Sequence, residues 1–61
     1  MPVITLEAGN LNKDQKKKLV EEFTSIASKI TDTPEQAFVV LLKENAHDNI
    51  GVAGKLLSEM E

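Results

Sequence analysis

Cysteine, tryptophan, tyrosine and arginine are all missing from this 61-residue chain, and histidine occurs once. Without cysteine there can be no disulfide and no thiolate metal site, and one histidine cannot carry a structural zinc centre. Two phenylalanines are the only aromatic residues, so the stacking platforms that hold single-stranded nucleic acid are lacking. All seven basic residues are lysines, set against ten acidic ones for a formal charge of −3. That balance opposes nucleic-acid binding, which rests on clustered cations. No apolar run approaches the ~20 residues needed to cross a membrane, and no signal peptide opens the chain. The expectation is a cytoplasmic protein with no metal and with neither a nucleic acid nor a membrane as partner.

What the chain does have is apolar surface in a small body: 41% of its residues are hydrophobic. Residues 1–61 make a single domain, and a chain of this size buries only about 60% of the surface its unfolded form exposes. Small domains compensate with disulfides, metals or self-association. The first two are excluded, so a homo-oligomer is expected.

The order of elements follows from local signals. Val3–Leu6 is short, apolar and β-branched, closed by Gly9-Asn10, and predicts a strand. Asn12 with Gln15 three residues on forms a capping-box pattern, and Asp14 suits the first turn of the helix it opens. From Lys13 to about Ile30, Leu19, Phe23, Ile26 and Ile30 recur at helical spacing with Val20 and Ala27 beside them. Lys16, Lys17, Glu21, Glu22, Thr24, Ser28 and Lys29 fall on the opposite, solvated face. Thr33-Pro34-Glu35-Gln36 predicts a single helical turn capped by Thr33. Phe38–Leu42 is an uninterrupted apolar run of the kind found in strands covered on both faces. Strand, helix and strand in this order predict a right-handed crossover joining parallel neighbours. A polar loop, Asn45–Asn49, leads to Ile50-Gly51-Val52-Ala53-Gly54, which reads as a tight hairpin reaching to another subunit. Lys55–Glu61 reads as a short tail in which Leu56 and Leu57 pack. The fold class is therefore α+β. His47, beside Asp48 in the polar loop, has an incidental surface reading ahead of a catalytic one.

Two strands are too few for an independently stable sheet. One helix can cover one face of it, which leaves the other for neighbouring copies.

Pro2 carries the chemical interest. If Met1 is removed, Pro2 begins the chain with a secondary amine, a group that no internal proline has. An α-amino group titrates near pH ~8 in small peptides, and apolar surroundings move an amine downward. Such a proline can act as a general base with its lone pair held by a rigid ring. The plainer reading is that proline is an ordinary first residue of a strand.

The Pro2-Val3-Ile4 opening, Asp14-Gln15-Lys16 leading the helix, the apolar run from Phe38 with Glu44 after it, and Ile50–Gly54 together resemble the 4-oxalocrotonate tautomerase family across essentially the whole chain. That resemblance implies a β-α-β unit with a C-terminal hairpin, assembly as a homo-oligomer, commonly a hexamer, and catalysis by the amino-terminal proline without a cofactor. It also implies an arginine in the loop before the helix and another on the second strand, gripping substrate carboxylates. Here those positions fall on or near Asn10 and Leu11, and on Val39. Lysine binds a carboxylate as a point charge without the bidentate fork. Lys43 shares strand parity with Val39 and is the candidate substitute, although it stands about 13 Å farther along at strand rise and also reads as a solvated edge charge. The pocket wall that is aromatic in well-studied members falls on Ile50, which keeps it apolar.

The resemblance thus implies a tautomerase acting on an enol or keto acid, with Pro2 as base and Val39 and Ile50 at substrate-binding positions, to which strand parity adds Lys43 as a substrate-binding candidate. Two alternatives stay open. The same amine can form an iminium with a carbonyl compound and support decarboxylase or hydratase chemistry. Alternatively, the scaffold serves as a non-catalytic oligomeric interaction module.

Overall fold

The computed structural model describes residues 1–60; Glu61, the last residue of the expected tail, lies outside them. Strand β1 runs Val3–Ala8, helix α1 Lys13–Thr31 and strand β2 Val39–Glu44, and a hairpin of β3 (Gly51–Val52) and β4 (Lys55–Leu56) closes the chain. One-turn 3-10 helices at Glu35–Ala37 and His47–Asn49 make the connections on either side of β2, and a third, Leu57–Glu59, follows the hairpin. The parallel pairing is as expected: β1 and β2 run side by side, with Val3 beside Val39 and Ala8 beside Glu44. Backbone bonds fasten the sheet at both ends. The Val39 N–H donates to the Pro2 carbonyl at 3.0 Å and the Asn45 N–H to the Ala8 carbonyl at 2.8 Å.

The helix starts where its capping box predicts. Asn12 Oδ1 accepts the Gln15 N–H at 2.8 Å and Gln15 Oε1 accepts the Asn12 N–H at 3.0 Å, so two otherwise unpaired donors are satisfied. It ends at Asp32, whose left-handed backbone (φ 53°) sends its N–H back to the Ser28 carbonyl. The predicted Thr33 cap does not form. Thr33 Oγ1 donates instead to the Thr31 carbonyl at 3.2 Å, and the following turn starts after Pro34 with no side-chain cap.

Even-numbered strand residues face the helix: Ile4, Leu6 and Ala8 of β1 and Val40 and Leu42 of β2 are half-buried. Odd-numbered ones face away, and there Val3 is 50% and Leu41 45% exposed. The apolar run of β2 is thus covered on one side only. The helical stripe is also rotated from its predicted centre. Leu19, Phe23 and Ala27 are half-buried as expected, but Ile26 and Ile30 are exposed, whereas Lys16, Thr24 and Ser28 are half-buried rather than solvated. Two hydrogen-bonding side chains account for part of the shift. Lys16 is drawn to Glu44 at the end of β2, and Ser28 Oγ donates to the Thr33 carbonyl at 2.5 Å as the chain folds back.

The hairpin is longer than the sequence suggests. Lys55 and Leu56 form its return strand rather than a tail, pairing with Val52 and Gly51. Its two-residue turn needs positive φ at both positions, and Ala53 (53°) and Gly54 (80°) supply them. Among the described residues none is buried, so the isolated chain has no dry core.

Candidate functional site

Pro2 is half-buried at the open start of β1, held by the bond from Val39. Met1, before it, is 87% exposed. Val39 is next to Pro2 along the ladder, but strand alternation puts its side chain on the uncovered face with Val3 and Leu41, while the Pro2 ring shares the helix side with Ile4.

Lys43 and Ile50 lie at the other end. Lys43 pairs in register with Glu7, five residues along β1 from Pro2, or about 17 Å at strand rise. Ile50 lines a cleft of about 430 Å³ together with Glu7, Ala8, Gly9, Asn45, Asn49 and Gly51. Within one chain, therefore, Pro2 and Val39 occupy one end of the sheet, and Lys43 and Ile50 occupy the other.

The far end is built by polar contacts that the sequence did not single out. Glu44 follows the even-numbered parity and points to the helix side. Its Oε2 accepts the Leu11 N–H at 2.9 Å and its Oε1 pairs with the Lys16 ammonium. The Leu11 N–H first, and Lys16 after it, hold the Glu44 carboxyl below the usual carboxylate range. The bond fixes the Gly9–Asn12 connection to the end of β2. Asn45, the next residue, is half-buried, and its Nδ2 donates to Glu7 Oε1 at 3.4 Å. His47 lies over Gly9, where a Cβ would meet its Nε2 at 3.5 Å. The available signal for Glu44 was its parity: an acid in step with Val40 and Leu42 must reach the helix, and Lys16 begins the helix face there.

The β-α-β unit with its C-terminal hairpin is the fold that the sequence resemblance implied. A family profile described as tautomerase enzyme matches residues 2–60. The chain belongs to the tautomerase family. It is similar to 2-hydroxymuconate tautomerase of Bacillus subtilis (strain 168), with 39% identity over 62 residues covering all of both chains. Among solved structures it is similar to YwhB, a homologue of 4-oxalocrotonate tautomerase, at 36% identity and a TM-score of 0.91 over 98% of this chain and 100% of that one. It is also similar to DmpI from Archaeoglobus fulgidus, at 33% identity and a TM-score of 0.85 over 93% and 98% of the two chains.

This tautomerase holds neither arginine that the resemblance implies. Leu11 is half-buried and offers only its backbone N–H, which Glu44 takes; Val39 contributes an apolar surface. Among the described residues no group of three or more His, Cys, Asp or Glu could hold a metal, and no helix is long and apolar enough to cross a membrane.

Proposed function

We propose that this protein is a cofactor-independent tautomerase in which Pro2, after removal of Met1, is the general base for an unsaturated 2-hydroxy or 2-oxo acid. The observation that carries the reading is Pro2 itself, half-buried and pinned through its carbonyl at the open end of β1, behind an almost fully exposed Met1. Exposure leaves the Met1–Pro2 bond accessible to an aminopeptidase. The neutral secondary amine then takes the proton from the 2-hydroxyl. The O–H pair becomes the carbonyl bond, the double bonds shift along the chain, and the amine returns the proton to a distant carbon. The same atoms leave as arrived.

The enzyme works as a homo-oligomer, a hexamer in this reading. With none of its described residues buried, the chain must cover its open sheet face with copies of itself, and Lys43 and Ile50 meet a Pro2 only across such contacts. Without a bidentate cation, a dicarboxylate is bound less well than a smaller or less charged acid.

The test is the enol-to-keto conversion of 2-hydroxymuconate followed by ultraviolet absorbance, with protein whose intact mass shows Met1 removed. Conversion by the wild type that disappears in Pro2→Ala supports the assignment. Equal conversion by both refutes it.

A further inference from the structure

Proton transfer from a 2-hydroxy acid leaves negative charge on oxygen, and a site that lacks an oriented donor for it loses about 10²–10³ in rate. The chain has no arginine. The cleft holding Ile50 contains a different kind of donor. Asn45 is anchored twice, through its backbone N–H on the Ala8 carbonyl at 2.8 Å and its side-chain nitrogen on Glu7 Oε1 at 3.4 Å. The carboxylate can only accept, so it fixes which end of the amide faces it. A primary amide has two N–H groups, and Glu7 engages one. The second remains for an oxygen in the cleft.

Pairing of β1 with a second copy would carry a proline to that cleft. The outer edge of β1 is an open row of backbone donors and acceptors with one charged residue, Glu7, in six; β2 ends in two adjacent charges, Lys43 and Glu44. A two-fold pairing of β1 with a second copy must be antiparallel and isologous. For the two helices to share one side of the joined sheet, paired residues must have matching parity, so residue numbers across the seam add to an even total. Centring the seam on Thr5 puts Pro2 opposite the partner copy's Ala8; centring it on Leu6 puts Pro2 opposite Asn10. Both registers bring the amine to residues that bracket Gly9, at the mouth of the cleft.

We propose that Asn45 of one copy is the hydrogen-bond donor to the substrate carbonyl oxygen for the Pro2 amine of its neighbour, with Glu7 as the positioning residue that orients the amide. The inference rests on the reading of Pro2 as base and assigns the donor that the missing arginines would otherwise supply. A neutral amide beside a carboxylate favours a monoanionic acid, and Lys43, in register with Glu7, stands on the same face to receive its single carboxylate.

Subunit complementation tests this. Pro2→Ala and Asn45→Leu are each purified with Met1 removed, unfolded, mixed in equal amounts and refolded, and assayed on 2-hydroxymuconate and on 2-hydroxypenta-2,4-dienoate. Asn45→Leu alone should turn over about 10²-fold more slowly than wild type. Asn45→Asp, of the same shape but without the N–H donors, should be at least as slow, which covers a folding failure of the leucine variant. Because a mixed pair joins one intact Pro2 to one intact Asn45, the mixture should recover about one quarter of wild-type activity. Wild-type turnover by either Asn45 variant, or a mixture no better than the mean of the two variants, overturns the proposal while Pro2→Ala separately reports on the base. A faster rate on the dicarboxylate than on the monoacid would overturn the assigned specificity.

Discussion

Replacing Leu41 by glutamate tests whether the uncovered sheet face is the seam of an assembly. Val3 and Leu41 lie on that face with half and 45% of their surface exposed, and full burial of such a side chain is worth about 1.5–3 kcal/mol. Covering the exposed halves of both therefore contributes about 1.5–3 kcal/mol per copy, repeated in every subunit. Leu41→Glu removes its share and forces a carboxylate into the seam, at an effective cost of several kcal/mol. Since none of the described residues is buried within one chain, the separated subunits should lose structure as they part. Sedimentation velocity at micromolar concentration should show the wild type as an oligomer and Leu41→Glu as a slower species, with a matching loss of far-ultraviolet circular dichroism. The wild-type Tm should rise with protein concentration. Leu41→Met, which conserves volume and costs less than about 1.5 kcal/mol, should sediment like the wild type. A folded wild-type monomer, or a Leu41→Glu variant with unchanged mass and Tm, would refute the reasoning.

Two further outcomes follow from local geometry. Ala53 holds φ 53° in the hairpin turn, a backbone state that costs a residue with a Cβ about 1–2 kcal/mol; after the entropy of glycine in the unfolded chain, Ala53→Gly should stabilise each copy by about 0.5–1 kcal/mol. An unchanged or lowered Tm would count against this turn geometry. The Glu44 carboxyl, held low by the Leu11 N–H and then by Lys16, should titrate below the ordinary glutamate value near ~4.3 when followed by carbon-13 NMR. A group depressed in the folded state contributes stability that is fully present above its unfolded pKa and is lost as pH falls through the folded value. Lys16→Met should raise the midpoint only part of the way, because the larger cause remains. A wild-type midpoint at the ordinary value would contradict the contact.

Much of the frame was legible in residues that act on their near neighbours. Asn12 and Gln15 set the start of α1, the spacing of Leu19, Phe23 and Ala27 set a helical face, and β-branched runs around a single crossover helix set two parallel strands. These are short-range effects, written within a few residues. The ends of elements were less legible. β1 runs on to Ala8 and β2 to Glu44 because ladder bonds to the opposite strand extend them, and polar residues such as Glu7 and Lys43 give no local sign of being paired. Thr33 failed as a cap because the turn begins one residue later, with Pro34, which has no side-chain acceptor, at the capping position.

The candidate site divides in the same way. By itself, the sequence determined that an amine could be available at Pro2, that no arginine could assist it, and that so small a chain carries more apolar surface than it can hide. Only the tertiary structure decided that the parallel pairing sends Pro2 and the Ile50 cleft to opposite ends of one sheet, that Val3 and Leu41 share the uncovered face, and that Asn45 comes to rest against Glu7. The physical reason is range. Composition and spacing fix what each segment can do alone, whereas register couples residues 36 positions apart, from Val3 with Val39 to Ala8 with Glu44, and no local pattern encodes which of them will meet.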